Sequence, residues 1–210
     1  MKKYFSKDKW NFMFYTMTHP ADGFYEIRHR DRGSVPLAVV MVILFSICYS
    51  MNRMLASFVV NDVEPRAVDS LRELTAVLLL YLLFCVGNWS ITCLMEGEGR
   101  LKDIAIAVGY ALVPMIVTLV PATIISQGIA DNEEAFYTML VVVGIAYSVI
   151  IALIGIMQVH NYTLGKTLIV LFLTFIAMFI IIFVCLLLAD LVNQIYNFFY
   201  SLYTEIIFRN

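Results

Sequence analysis

Five stretches of mostly apolar residues, each about as long as a membrane is thick, recur along this 210-residue chain. Nothing else in the sequence limits the fold so severely. The stretches run from Val35 to Phe58, Leu74 to Met95, Ile104 to Gln127, Phe136 to Met157 and Thr167 to Ala189. Crossing ~30 Å of hydrocarbon takes ~20 residues of helix. Backbone N–H and C=O groups in that layer must find partners within the segment, and a helix provides them. The expected fold is therefore all-α: a polytopic integral membrane helical bundle with five transmembrane helices. Composition agrees, at 61% hydrophobic and 14% charged, against roughly 45–50% and ~25% in soluble domains. A water-soluble fold would lack polar surface. A soluble enzyme, a secreted disulfide scaffold and a disordered tail are excluded.

Basic residues set the expected orientation. With the amino terminus in the cytoplasm, one side holds Lys2, Lys3, Lys7, Lys9, Arg28, Arg30, Arg32, Arg100, Lys102 and Lys166, and the other holds Arg53, Arg66, Arg72 and Arg209. Lys and Arg favour cytoplasmic loops, so the carboxyl terminus should lie outside. Met1 to Arg32 contains no apolar central stretch, so the first span is expected to serve as an uncleaved insertion signal. Residues 1–33 then form a cytoplasmic amphipathic segment, 34–190 the five-span domain, and 191–210 an extracytoplasmic aromatic tail. Arg53 interrupts the far end of the first span. Either it snorkels into the headgroups or it pairs with Glu73 or another outer acid.

Both ends carry helical stripes. Trp10, Met13, Phe14 and Met17 recur at helical spacing, and Pro20 ends that segment. A short helix carrying Phe24 and Ile27 should follow, its end crowded by Arg28, His29, Arg30 and Arg32 before Gly33. Trp10, Phe14, Arg28, Arg30 and Arg32 are thus expected at the membrane surface, where cations meet anionic lipid. Beyond Asp190, the stripe Leu191, Ile195, Phe198, Phe199, Leu202 and Ile206 either extends the fifth span or bends onto the outer surface.

Chemistry is hard to find. The four cysteines, Cys48, Cys85, Cys93 and Cys185, all fall within apolar runs and show no zinc spacing. Gly165-Lys166-Thr167 lacks the upstream glycine and the strand of a phosphate loop. Neither H-E-x-x-H nor G-x-S-x-G occurs. No catalytic residue, metal, cofactor, nucleotide or nucleic-acid partner is expected.

The spans carry more information. Tyr81, Cys85, Asn88 and Thr92 form a polar stripe that should face other helices. Tyr110, Pro114 and Thr118 stack at i+4 spacing, with Pro121 further on, so the third span should be broken. Gly144, Ser148, Ala152 and Gly155 should permit close helix approach. The fifth span reads as lipid-facing. The polar groups either hold the bundle together, at ~0.6–2 kcal/mol per interhelical bond, or line a solute path through the broken third helix. The absence of Asp, Glu, Lys or His at mid-depth weakens an ion-coupled carrier.

Three adjoining segments carry a resemblance. Asn88-Trp89-Ser90-Ile91-Thr92, then Glu96-Gly97-Glu98-Gly99-Arg100-Leu101-Lys102-Asp103, then Gly109-Tyr110-Ala111-Leu112-Val113-Pro114 resemble the Yip (Ypt/Rab-interacting) family of five-span membrane proteins. Gly109-Tyr110 with Pro114 is the most specific element. His19-Pro20 with Phe24 and Ile27 resembles the family's lead-in to its first span, and the likeness covers about Pro20 to Ala189. Eukaryotic members carry a longer amino-terminal region and an Asp-Leu-x-Gly-Pro motif lacking here. The Gly-Glu-Gly loop looks like the bacterial branch, so Rab binding is not carried over. The resemblance implies a non-catalytic bundle with a cytoplasmic amino terminus and an outer carboxyl terminus; its motif residues Asn88, Gly109, Tyr110 and Pro114 are expected in helix packing, as are Gly144 and Ser148 from their spacing.

The expected role is an accessory or organising subunit in a bacterial cytoplasmic membrane, contacting lipid and other integral membrane proteins. An ABC-type sugar importer is a candidate partner by association with bacterial relatives. The expected contact loop is Glu96, Gly97, Glu98, Gly99, Arg100, Lys102 and Asp103, whose two glycines should let it turn sharply and whose mixed charges suit a partner. The rival reading is a small-solute permease or channel using Asn88, Tyr110 and Thr118.

Overall fold

The computed structural model describes residues 6–61 and 63–208; Lys2, Lys3 and Arg209 of the charge count lie outside them. Eight α-helices follow one another: α1 (Lys7–Thr18), α2 (Pro20–Arg30), α3 (Val35–Leu55), α4 (Ser70–Leu94), α5 (Leu101–Ala111), α6 (Val113–Ser126), α7 (Glu134–His160) and α8 (Leu164–Phe208). Taken with α5 and α6 as one span, five helices are long and apolar enough to cross a membrane.

Local chemistry accounts for the boundaries. Pro36 stands in the first turn of α3, where its missing N–H costs nothing. Asp69 caps α4 by accepting from the N–H groups of Leu71 and Arg72, both at 3.1 Å. The third span breaks at Leu112, two residues before Pro114, while Pro121 is carried inside α6 without interrupting it. Only the first of the two prolines therefore divides the helix.

Small residues set the spacing of the bundle. α3 and α5–α6 run side by side in the same direction: Gly109 abuts Ala38, and Asn52 Nδ2 donates to Thr123 Oγ1 at 2.8 Å. Antiparallel α7 closes on this pair through Gly144 against Thr118 and Gly155 against Ala107. α4 packs on α3, α5 and α8. The polar stripe of α4 faces inward as expected, with Tyr81, Cys85, Asn88 and Thr92 all buried. Asn88 Nδ2 donates to Thr174 Oγ1 of α8 at 3.1 Å.

Two expectations about the amino-terminal segment change. Helix α2 is part of the core rather than a surface helix: Phe24 and Ile27 are fully buried, and the Phe24 ring lies against Gly155. The stripe on α1 also splits. Phe12, Met13, Thr16 and Met17 turn inward, Trp10 is half-buried, and Phe14 faces outward. The cause is the α1–α2 hairpin, which packs α1 against α2 and so selects a face shifted from the one that spacing alone indicates. Tyr147 Oη of α7 donates to the Met17 carbonyl at 2.7 Å, tying down the hairpin turn.

At the other end, Arg53 pairs with Glu73, whose second oxygen accepts from Ser50 Oγ. The pair ties α3 to α4, and it realises the second of the two alternatives for Arg53. Helix α8 runs unbroken for 45 residues through the expected boundary at residues 190 and 191. The tail thus extends the fifth span rather than bending. After Met178 no described residue of α8 is buried.

Candidate functional site at the basic end

The glycine-rich loop joining α4 to α5 is held shut by the end of α7. Glu96 stands in the left-handed region at φ 56°, and Gly97 N–H donates back to the Thr92 carbonyl at 2.8 Å, so a Schellman-type turn ends α4. Neither Gly97 nor Gly99 has positive φ. Their role is close approach rather than a sharp turn. A Cβ on Gly97 would come within 2.6 Å of Tyr162 Oη and 2.7 Å of His160 Nδ1, and one on Gly99 within 2.6 Å of Val159.

His160 and Tyr162 form the other half of the clamp. His160 is 1% exposed and Tyr162 is buried, although His160 ends α7 and Tyr162 lies in the short polar connection to α8. Asn161 adopts φ 55°, and Tyr162 N–H returns to the Met157 carbonyl at 2.9 Å, which folds the chain back over the loop. Gly99 N–H donates to His160 Nδ1 at 3.2 Å, which puts the imidazole proton on Nε2. Tyr162 Oη donates to the Met95 carbonyl at 3.0 Å, its ring stacks on His160, and Lys166 Nζ lies 4.4 Å from its centroid. Burial raises the Tyr162 phenol above its usual range.

An ionic node joins this clamp to α2. Asp103 is 1% exposed, pairs with Arg100 Nε at 2.8 Å and lies 4.0 Å from Arg28. A carboxylate so buried needs such partners. It also accepts from the Arg100 N–H at 3.3 Å, capping α5. Arg100 reaches on to Asp31 at 2.7 Å, and Lys102 meets the same oxygen at 2.8 Å. The Lys102 bond holds the Asp31 carboxyl below its usual range, with Arg100 adding to the effect against some desolvation. The Arg100 guanidinium is pushed up, chiefly by its bond to Asp103. Lys9 Nζ donates to the carbonyls of Asp31, Arg32 and Gly33 at 3.2, 2.7 and 3.0 Å.

The expected contact loop therefore divides. Glu96, Glu98 and Lys102 are exposed, Gly97, Gly99 and Arg100 are half-buried, and Asp103 is internal. Of the expected surface cations, Arg28 turns to Asp103, while Arg30 and Arg32 pair with Glu26 at 3.3 and 2.6 Å. Arg32 also lies over the Phe12 ring at 4.7 Å. The packing residues are all internal: Tyr110 is fully buried and accepts from Ser34 N–H at 3.3 Å, Pro114 lines the break, and Ser148 sits in the α7 interface. Asp31, His160 and Tyr162 were not singled out from the sequence, and Lys9 entered only the count of basic residues. The one available signal was Asn161, a residue that tolerates the left-handed region at a helix end.

Chemically the node is a clamp. Among the described residues no group of three or more His, Cys, Asp and Glu side chains is placed to hold a metal ion. Searches of curated proteins and of solved structures return no match. The family model of the Yip1 domain matches residues 14–186. That span runs from the second half of α1 through α2, the glycine-rich loop, the broken third helix and the α4–α8 seam, so this multi-pass membrane protein belongs to the Yip1 family.

Proposed function

We propose that the chain is a non-catalytic accessory or organising subunit that binds other integral membrane proteins. The observation that carries this reading is the unpartnered length of α8. At ~1.5 Å per residue its 45 residues reach roughly 68 Å, over twice the hydrocarbon thickness. Asn88 meets Thr174, and α4 begins at Ser70, so antiparallel α8 passes the start of α4 near Val192. Beyond that point Ile195, Tyr196, Phe198, Phe199, Tyr203 and Phe208 stand exposed. Apolar area of this extent outside lipid favours a partner surface.

The excess of Lys and Arg at the amino-terminal face, with its clamp, supports a cytoplasmic placement of that face, and the bacterial setting rests on the resemblance of the Gly-Glu-Gly loop. The α8 extension then lies outside, and the exposed Glu96 and Glu98 offer a second contact inside. An ABC-type importer is the candidate partner that the bacterial resemblance implies. The permease reading draws less support: Tyr110 accepts from Ser34, Asn88 donates to Thr174, and Thr118 Oγ1 donates to its own helix backbone. Each of the three side chains makes a hydrogen bond inside the bundle, with Asn88 Oδ1 left without a partner among the described residues.

Purification of the tagged full chain from its native membrane in mild detergent tests the proposal. A stoichiometric complex is expected, weakened by Ile195→Glu with Phe199→Glu and, at the other face, by Glu96→Lys with Glu98→Lys. An uncomplexed protein that conducts solute in liposomes would overturn it.

A further inference from the structure

At the basic end two cavities adjoin, one between the α1–α2 hairpin and the starts of α3 and α5, the other between α3, α4 and α5. The first, of about 400 Å³, has polar groups from Lys9, Asp31, Lys102 and Asp103 set in a lining that also includes the apolar Ile27 and Ile106. The second, of about 300 Å³, is an apolar groove whose walls include Val39, Tyr81, Cys85, Val86, Leu101 and Ala105. Val35 and Lys102 line both. Leu82, Val86 and Leu101 are exposed members of its lining; Leu101 opens α5, whereas Leu82 and Val86 stand inside α4, twelve and eight residues before its end at Leu94. The Tyr81 hydroxyl on its floor is spent on the Ala105 carbonyl at 2.8 Å, so the groove offers little to water.

We propose that this pair of cavities binds one anionic glycerophospholipid, its phosphate in the polar chamber beside Lys102 and an acyl chain in the groove. The lining of the groove, apolar but for Lys102 and the engaged Tyr81 hydroxyl and set among helices long enough to cross a membrane, commits that half to a lipid chain. Charge commits the polar half. Within the lining Lys9 and Lys102 balance Asp31 and Asp103, and two further cations outside it, Arg28 at Asp103 and Arg100 at both carboxylates, complete the ionic node. The surplus is positive, which suits a phosphate monoanion. Lys102 bridges the halves because its methylene stem lies along apolar surface while its ammonium stays in the polar chamber. Arg100 meets the same Asp31 oxygen as Lys102, so a phosphate can take Lys102 without leaving that carboxylate unpaired.

Thermal melting of the full-length protein in mild detergent tests this site with defined probes. Dioctanoyl-phosphatidylglycerol should raise the melting temperature by mass action, dioctanoyl-phosphatidylcholine should do so much less, and inorganic phosphate should do nothing. Lys102→Glu should weaken the phosphatidylglycerol effect at least about tenfold, whereas Val86→Trp, which fills the groove, should abolish the response to both lipids. Equal shifts from the two lipids, or a response to phosphate alone, would overturn the proposal, as would a Lys102→Glu protein that responds like wild type. Should either variant fail to fold, the wild-type comparison of the two lipids decides alone. Each result is independent of whether α8 holds a protein partner.

Discussion

Replacement of Gly109 by alanine should separate α3 from α5, and the structure supplies the magnitude. A Cβ at this position would lie 2.7 Å from Ala38 Cβ and 2.8 Å from the Ala38 carbonyl oxygen, about 0.7 Å short of ordinary contact at 3.4 Å. Two of the nearest atoms are α3 backbone, so no side-chain rotation relieves the clash. The helices must move apart, and everything keyed to that register moves with them, including the Ser34–Tyr110 and Asn52–Thr123 bonds. Overpacking of this kind costs about 1–3 kcal/mol. At roughly 2–4 °C per kcal/mol for a chain of this size, the melting temperature should fall by several degrees. Gly165→Ala supplies the control, because nothing lies within 4 Å of its added Cβ. That change should be neutral or stabilise by about 0.4–1 kcal/mol through the unfolded chain. Both variants can be followed by circular dichroism during melting in one detergent. If Gly109→Ala melts with wild type, or if the two alanines shift it equally, the close approach of α3 to α5 does not set the packing.

Two further outcomes follow from the charged groups. Arg53→Met and Glu73→Gln should each destabilise, while the double variant should lose less than the sum, with a coupling of about 0.5–3 kcal/mol in a double-mutant cycle; additive losses would remove the pair from the α3–α4 seam. At the basic end, the depressed Asp31 carboxyl contributes stability above its unfolded value of 3.8, and that contribution fades as pH falls through the lower folded value. Lys102→Ala should therefore flatten the acid limb of a melting-temperature profile below about pH 4, and an unchanged limb would show that the Lys102 bond does not hold Asp31 down.

Much of the architecture was legible before any coordinates, because membrane spans obey a one-dimensional rule. Hydrocarbon thickness demands a minimum apolar length, and a helix satisfies its own backbone, so span number follows from counting. The inward face of α4 was legible for a similar reason: an amide such as Asn88 is costly against lipid, which leaves helix contact as its place. Gly109-Tyr110 and Pro114 were readable as a motif, though not as the approach to Ala38 that explains the glycine.

The residues that make the clamp were not readable, since its logic is long-range. Lys9 and Lys102 reach the Asp31 segment, His160 reaches Gly99 beside Arg100, and no local pattern states that these separate segments meet. The sequence alone determined that the chain forms five apolar helices with a broken third and a cationic beginning, because length, proline chemistry and charge act locally along the chain. Tertiary packing alone decided which face of α1 turned inward, that Arg53 would choose Glu73, and that Gly97 and Gly99 serve closeness rather than curvature. Those outcomes depend on which surfaces reach each other once the helices assemble, and a burial energy shared between distant segments leaves no periodic trace in either one.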